Sequence, residues 1–478
     1  MNPNHCIRSA KKITTITKIL TTEHLREPTS LLWSALAPCI LFIITQPTHV
    51  ASTYTASAAW FYSYISATLA FFGFSFYLIG RRESGFTRSF IYQHSAIKLF
   101  LTAHTLSYFL LSSLYATLFY LLTKPLRGHY SLPEYLYLMA CFYTSYLMFT
   151  CIGLGIAALP IKFSTASTLF SLMSFLMLVS GYTGATLGHD ASHTLTLINP
   201  LFLSADLPWR NAPSQQFPDC SFGLCGLDIP DRKVFQNPTH MEPILMDILT
   251  INNLHFGYSG NPLLNDIELT IKAGELVGIL GNNGAGKTTL FDLICKIKKP
   301  AKGAIFNVSR RQAYLTQILT PPPLLRMDEA GKLITSLTPN VSPDHTEILS
   351  KLAKWSPSLS KRYAEIAKKK AANCSYGEIR SYFTLTLLLL NSDLIILDEP
   401  TAGVAPEFRH YIWLGIKSAC AEGASVLIAS HYTEEITKNC QRFYMLANKR
   451  LEAFDSGGQF MERHHAKSLD EAFINASV

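Results

Sequence analysis

The sequence predicts a multi-domain chain, with an all-α transmembrane helical domain first and an α/β domain after it. Three observations carry that prediction. Five long apolar runs fall in the first part of the chain, and charges are scarce between residues 33 and 187. From Asp247 onward the composition is that of a water-facing α/β protein. There, a short apolar strand at 275–280 runs directly into a glycine-rich loop and an apolar helix.

At 478 residues the chain is too long for one ordinary domain. Charged residues make up only 15% against 48% hydrophobic, and the deficit is confined to the first half. The net charge of +8 lies largely before and between the apolar runs, as the positive-inside rule expects. It is therefore no sign of a nucleic-acid partner. The ten cysteines form no paired CxxC spacing, which argues against a structural metal, and most read as buried thiols. Cys220 and Cys225 flank a polar loop and read equally well as a disulfide or as two free thiols.

Residues 1–28 form a basic segment with Arg8, Lys11, Lys12 and Lys18. Lys18 interrupts any cleavable signal core. Ile13, Ile16, Ile19 and Leu20 share one helical face, so a helix lying on the cytoplasmic membrane surface is expected.

The domain 29–208 holds the apolar runs, at 31–44, 56–79, 97–122, 135–159 and 166–187. A spanning helix needs about 20 residues, and the first run is short and contains Pro38. Tyr54, Trp60, Tyr120 and Tyr135 suit a lipid interface, and Gly153, Gly155, Gly181 and Gly184 suit close helix contact. Arg81, Arg82, Arg88 and Lys98 mark a cytoplasmic loop. Five crossings from a cytoplasmic start end outside, so a cytoplasmic second half would need one crossing more or one fewer. Either a further crossing lies near 196–207, or one run does not cross, or a partner supplies a helix. His104, inside a run, reads as a functional ionisable group or as a helix-contact histidine. Residues 209–245, rich in Pro, Asp, Gln and Asn, read as a linker.

The domain 246–478 carries the chemistry. The strand at 275–280 leads into Gly281-Asn282-Asn283-Gly284-Ala285-Gly286-Lys287-Thr288-Thr289 and then a helix. That is the strand, GxxxxGKT, helix order of a P-loop. The loop's backbone N–H groups and the helix N-terminus suit phosphates, Lys287 reaches the β- and γ-phosphates, and the Thr288 hydroxyl suits Mg2+. A second apolar strand, 394–397, ends in Asp398 and Glu399. Asp398 is assigned to magnesium and Glu399 to the attacking water as general base. ATP and Mg2+ are thus the expected ligands.

Ser375-Tyr376-Gly377-Glu378, ahead of a long helix, resembles the signature of the ATP-binding cassette (ABC) family. The resemblance implies that these residues bind ATP held by another copy's P-loop. It also implies roles for Gln317 (magnesium and contact with the membrane domain), His431 (a switch histidine at the γ-phosphate) and Tyr258 (stacking on adenine). Tyr376 replaces the commoner glycine, and Ala405 stands where the family's D-loop has an acid. The family's fold is an α/β P-loop ATPase domain with a helical subdomain.

The membrane half resembles the family's type-2 permeases at Arg26-Glu27-Pro28-Thr29-Ser30-Leu31-Leu32-Trp33, at the cytoplasmic coupling segment Arg82-Glu83-Ser84-Gly85-Phe86, and at Asn199-Pro200-Leu201. The tail Ser468-Leu469-Asp470-Glu471-Ala472-Phe473 resembles cassettes that serve such permeases. The whole implies a half-transporter working as a homodimer through its ATP-binding domains. It would sit multi-pass in a plasma (inner) membrane, surrounded by lipid, with the ATP-binding domain cytoplasmic. It would export a lipid, glycan or amphipathic drug-like molecule whose identity the sequence leaves open. The alternatives are a membrane-tethered ATP-dependent switch or a subunit needing a partner permease.

Overall fold

A computed structural model describes residues 3–27, 32–45, 54–90, 94–186, 247–338 and 345–477. The expected linker 209–245, the 196–207 segment, the Asn199-Pro200 step, Cys220 and Cys225 lie outside the described residues.

Helix α1 (Pro3–Leu25) is followed by a π-helical turn, Leu32–Leu36, and α2 (Ala37–Thr45). Helix α3 (Tyr54–Thr68) continues through a second π-helical segment, Leu69–Ser75, into α4 (Phe76–Glu83), and a short α5 (Phe86–Phe90) follows. Helices α6 (His94–Thr123), α7 (Leu132–Ala158) and α8 (Phe163–Thr186) complete the described membrane half. Among the described residues, 3 helices are long and apolar enough to cross a membrane: Ala58–Glu83, Ser95–Leu126 and Leu132–Ala158. The first and last of the five expected spans are not among them. Their described side chains make up the shorter apolar stretches Leu32–Ile44 and Phe163–Leu176, the second of which lies in α8, a helix of 24 residues that runs on to Thr186. At 1.5 Å per residue the first of these reaches roughly 20 Å, well short of a hydrocarbon core.

The expected amphipathic face of α1 exists, but it does not lie on lipid. Ile16, Ile19 and Leu20 are buried in a cluster with Phe100 and Ala103 of α6 and with Leu333, Ile334 and Leu337 of the α/β half. The Thr17 hydroxyl donates to the Ala103 carbonyl at 3.3 Å, and Thr21 meets Ser107 at 2.9 Å. Protein has displaced the membrane surface because two helices supply a closer apolar partner. Tyr54 and Tyr120, expected at a lipid interface, are also buried. They bond to Thr123 at the end of α6 and to the Ser131 carbonyl just before α7.

The π-helical segment is a close-contact site. A Cβ on Gly73 would lie 2.5 Å from the Tyr108 ring, and one on Gly153 only 2.1 Å from Ser75 Oγ, whereas nothing lies within 4 Å of a Cβ on Gly155. His104 is fully buried among Phe74, Tyr77, Phe100 and Tyr108, and its Nε2–H donates to the Phe74 carbonyl at 3.1 Å. It is a helix-contact histidine. Cys39, Cys141, Cys151, Cys295, Cys374, Cys420 and Cys440 are free thiols; the first two and Cys295 are buried and Cys151 is exposed, so the expectation of buried thiols holds in part.

The side chains of three of the expected cytoplasmic basic residues, Arg81, Arg82 and Arg88, have partners. Arg81 forms a buried ion pair with Glu23, whose other oxygen accepts from the Tyr77 hydroxyl at 2.8 Å. Arg82 donates to the carbonyls of Ala157 and Leu159 at 2.9 Å each and of Ile161 at 2.6 Å, closing the end of α7.

The α/β half has two sheets. Strands β1 (Asp247–Tyr258), β2 (Asn261–Lys272) and β4 (Lys302–Asn307) form an antiparallel sheet in the order β2-β1-β4. Strand β3 (Leu276–Leu280) is joined by β5 (Gln312–Leu315), β6 (Leu394–Asp398), β7 (Ser425–Ser430), β8 (Arg442–Ala447) and β9 (Arg450–Phe454) in the order β5-β6-β7-β3-β8-β9. Every residue of β3, β6 and β7 is buried, as parallel strands covered on both faces require. Helix α9 (Lys287–Ile294) follows β3. Helices α10 (Met327–Leu337), α11 (His345–Trp355), α12 (Pro357–Ala367) and α13 (Tyr376–Leu388) form the helical subdomain, with Tyr363 stacked on Tyr382 at 4.3 Å. Helices α14 (Pro406–Ala421), α15 (Thr433–Asn439), α16 (Gly457–Arg463) and α17 (Leu469–Ser477) cover the rest.

The two halves meet at the segment after α4. Thr320 N–H donates to the Ser84 carbonyl at 2.9 Å, and Ser89 Oγ meets Thr316 Oγ1 at 2.8 Å. Arg88 grips Asp292 with two donors, Nε at 2.8 Å from Oδ1, and Arg26 grips Glu329 at 2.6 and 3.0 Å. Gly85 sits at φ +74°, and a Cβ there would lie 2.0 Å from the Ile318 carbonyl oxygen, so only glycine allows this approach.

Arg81→Ala leaves the Glu23 carboxylate buried without its cation, which costs about 3–5 kcal/mol. A clear drop in melting temperature in detergent is expected, with most of it recovered by Glu23→Leu combined with Arg81→Met. An Arg81→Ala protein as stable as the parent would contradict the role given to the pair.

Candidate functional site

The glycine-rich loop lies between buried β3 and the start of α9, so the sheet core fixes its position. Gly286, with φ +111°, turns the chain into α9, a conformation that a residue with a Cβ would adopt only under strain. Ala285 N–H donates to the Asn282 carbonyl at 3.1 Å, closing the loop. The Lys287 ammonium is held by the Gly281 carbonyl, by the Asn282 carbonyl at 3.2 Å and by Glu399 at 3.3 Å. These are contacts a phosphate can replace.

A cavity of about 360 Å³ opens over the loop. Asn282, Asn283, Gly284, Gly286, Lys287, Thr288 and Thr289 line one side of it. Asp398 and Glu399, Gln317 and Tyr258 line the others. Thr288 Oγ1 donates to Asp398 Oδ2 at 2.6 Å, while Asp398 Oδ1 is buried with no hydrogen-bond partner. Burial pushes the Asp398 carboxyl up to about 6, against the opposing pull of Thr288 and Arg380. A hydroxyl beside a carboxylate with an unused oxygen is a donor set that fits a hard divalent cation.

Glu399 has φ +53°, an uncommon conformation for a residue with a Cβ, and its N–H donates to the Ala429 carbonyl at 3.0 Å. Parallel pairing of β6 with β7 brings the ends of both strands together. His431, just past β7, therefore reaches Glu399 with Nδ1 2.5 Å from Oε2. Tyr258 closes the far rim, its hydroxyl 3.3 Å from Thr289 Oγ1 and accepting from Lys298 at 2.7 Å. Tyr258 is 47% exposed, with the Lys298 ammonium 4.5 Å from its ring centroid.

The structure does not bring the signature residues into this cavity. Ser375 caps the N-terminus of α13 in a reciprocal capping box with Glu378, at 3.3 and 3.0 Å. Glu378 also accepts from Lys369 at 2.6 Å. Gly377 is buried in the first turn and Tyr376 is half exposed beside Gly403. Ala405, at the N-terminus of α14, offers no side-chain cap.

Sequence reasoning missed Arg380. It is almost fully buried, and it donates to the Thr316 carbonyl at 2.6 Å and to the Asp398 carbonyl. It thereby ties α13, which begins at the signature residues, to the strand end that carries Asp398 and to the turn before Gln317. A lone arginine in the apolar stretch after Glu378 was the available signal. Asp292, a lone acid in the helix after the loop and the partner of Arg88, was missed in the same way.

Comparison with known proteins places these residues among relatives. The family model described as ABC transporter matches residues 264–402. Protein McbF of Escherichia coli is 32% identical over 224 residues, which cover 46% of this chain and 90% of McbF. The Nod factor export ATP-binding protein I of Rhizobium johnstonii is 30% identical over 222 residues, covering 43% of this chain and 67% of that protein. A solved ATP-binding subunit of an ABC transporter aligns at 23% identity and a TM-score of 0.42, over 48% of this chain and 99% of its own.

Replacing Arg380 by Ala releases two carbonyls that position Asp398 and the Gln317 turn. An ATP turnover at least about tenfold lower is expected, with Arg380→Lys recovering only part of it because one ammonium replaces a planar fork. Turnover in Arg380→Ala equal to the parent's would remove it as a positioning residue.

Proposed function

The chain belongs to the ABC transporter family as an ATP-hydrolysing, ATP-binding subunit, and from that premise we propose that it is a half-transporter. In this reading residues 1–28 are a cytoplasmic segment, 29–208 a type-2 permease-like membrane domain, 209–245 a linker and 246–478 the cassette. Two copies pair through their cassettes in a plasma (inner) membrane, with the cassettes in the cytoplasm.

One observation carries this reading. The residues over the glycine-rich loop and the segment after α4 share the same short stretch, 316–320. Gln317 lines the cavity while its neighbours Thr316 and Thr320 hold Ser89 and Ser84. A nucleotide at the loop is therefore two residues from the membrane helices.

The geometry supports the following residue roles. Lys287 exchanges its carbonyl partners for the β- and γ-phosphates, and the loop N–H groups hold their oxygens. Thr288, Asp398 and Gln317 would hold Mg2+, which when bound neutralises charge on the phosphates. Glu399, held in place by His431 and Lys287, takes a proton from the attacking water, and His431 passes contact to the γ-phosphate side. Tyr258 stacks on the base. Ser375, Tyr376, Gly377 and Glu378, outside their own chain's cavity, face the nucleotide of the second copy, as α13's N-terminus suits an anion. Export draws on the printed name of the Nod factor relatives, and a lipid, glycan or amphipathic drug-like substrate accords with the uncharged character of the spans. The second reading is a tethered switch or a subunit needing a partner permease. Ala405 in the D-loop position favours it.

The protein in lipid nanodiscs is expected to hydrolyse ATP, and Glu399→Gln is expected to lose at least about 100-fold in turnover while still binding ATP. Turnover unchanged by the substitution would contradict the role of Glu399. Absence of turnover in the parent would favour the second reading.

A further inference from the structure

We propose that Arg409 and Glu435 are positioning residues for ATP hydrolysis, and that their ion pair holds the turn 401–404 in place of the acid that Ala405 replaces. The proposal rests on the roles given above to Glu399 and the signature residues, and adds what fixes the turn between them.

The turn joins the end of β6 to α14 and begins two residues past Glu399. Its own bonds are few. Val404 N–H donates to the Thr401 carbonyl at 3.2 Å, and Ala402 N–H reaches the Glu399 carbonyl at a long 3.4 Å. Gly403, at φ +68°, lies against Tyr376, where a Cβ would be 3.5 Å from the ring. The turn therefore stands between Glu399 and the residues assigned to the second copy's nucleotide. Ala405, at the start of α14, has the extended backbone of a capping residue, φ −61° and ψ 152°. Its methyl group accepts nothing, whereas an acid there would hold the first turn of α14.

Arg409 and Glu435 clip both ends of the turn instead. Glu435 Oε2 accepts from the Thr401 hydroxyl at 2.8 Å and from Trp413 Nε1–H at 3.0 Å. Glu435 Oε1 faces Arg409 Nη1 at 2.9 Å, and Arg409 Nη2 donates to the Val404 carbonyl at 3.2 Å. Thr401 and Val404 are both buried, and the Glu435 side chain is only 14% exposed, so these charge-assisted contacts are shielded from water.

The same pair ties the turn to His431. Glu435 lies four residues past it. The Arg409 guanidinium sits 5.2 Å from the Tyr432 ring centroid, and that ring lies 4.3 Å from the imidazole of His431. A turn released by either partner would let Glu399 and His431 drift apart, and a misplacement of about 1 Å at a reacting site costs up to roughly 100-fold in rate.

The test measures kcat and KM for Mg-ATP on the full chain in lipid nanodiscs, together with amide hydrogen exchange across 401–405. Glu435→Gln keeps an acceptor for Thr401 and Trp413 but loses the charge. Arg409→Met keeps an apolar stem but loses the fork. Each is expected to lower kcat about tenfold with KM within about twofold, because the glycine-rich loop and Tyr258 are untouched. Each should also speed exchange at 401–405. The double variant should lose no more than the worse single one, as two halves of one contact do. Adding Ala405→Asp to Arg409→Met should recover roughly half of the lost kcat by capping α14. Four results would each overturn the proposal: kcat within about twofold of the parent in both single variants, losses that multiply in the double variant, unchanged exchange at 401–405, or no recovery with Ala405→Asp. Full turnover in Glu399→Gln would instead overturn the role of Glu399 and leave the exchange result, and the hold on the turn, standing.

Discussion

The grip of Arg88 on Asp292 is the contact on which the rest of the molecule turns. Asp292 is completely buried in α9, the helix that begins at Lys287. A carboxylate so placed needs a cation, and Arg88 of the membrane half supplies it with two donors. The phosphate-binding helix therefore owes its internal charge balance to a residue five positions past the end of an apolar candidate span. Nearby, Gly85 allows the backbone of the two halves to touch at Ile318, and Ser84 and Ser89 bond to Thr320 and Thr316. These attachments on α9 and on 316–320, with Arg26 on Glu329 of α10 as a third, resist rotation where a single one would act as a swivel.

The same stretch organises the nucleotide cavity from below. Arg380 holds the Thr316 and Asp398 carbonyls together, so α13, β6 and the Gln317 turn move as one body. Glu399 sits in a strained left-handed conformation at the end of β6, and His431 reaches it from the adjacent β7. Chemistry at Glu399 and mechanics at Gly85 thus lie at opposite ends of one short, buried, hydrogen-bonded path.

Much of this was legible in the sequence. The α/β fold, the glycine-rich loop, Asp398, Glu399, Gln317 and His431 are encoded locally, as strand ends and turns with characteristic residue order. Gly85 and its neighbours could also be read as a coupling segment. Less legible were features that depend on which helix packs where. The apolar face of α1 announced burial, but periodicity does not distinguish lipid from the sides of α6 and α10. Tyr54 and Tyr120 carried the composition of an interfacial belt and instead bond within the bundle. Arg380 and Asp292 were visible only as lone charges in apolar helices, because their partners lie 18 and 204 residues away. The first run, 31–44, is apolar but short, as its sequence already indicated.

The central claim is that nucleotide at the glycine-rich loop moves the membrane helices through the Arg88–Asp292 joint. Spin labels at Tyr130→Cys, an exposed position between α6 and α7, report the distance between two copies on a background freed of other exposed cysteines. With Glu399→Gln to trap the bound state, Mg-ATP is expected to shift that distance distribution, and adding Arg88→Ala is expected to abolish the shift while ATP still binds. A shift that persists in full without Arg88, or no shift despite bound ATP, would contradict the account.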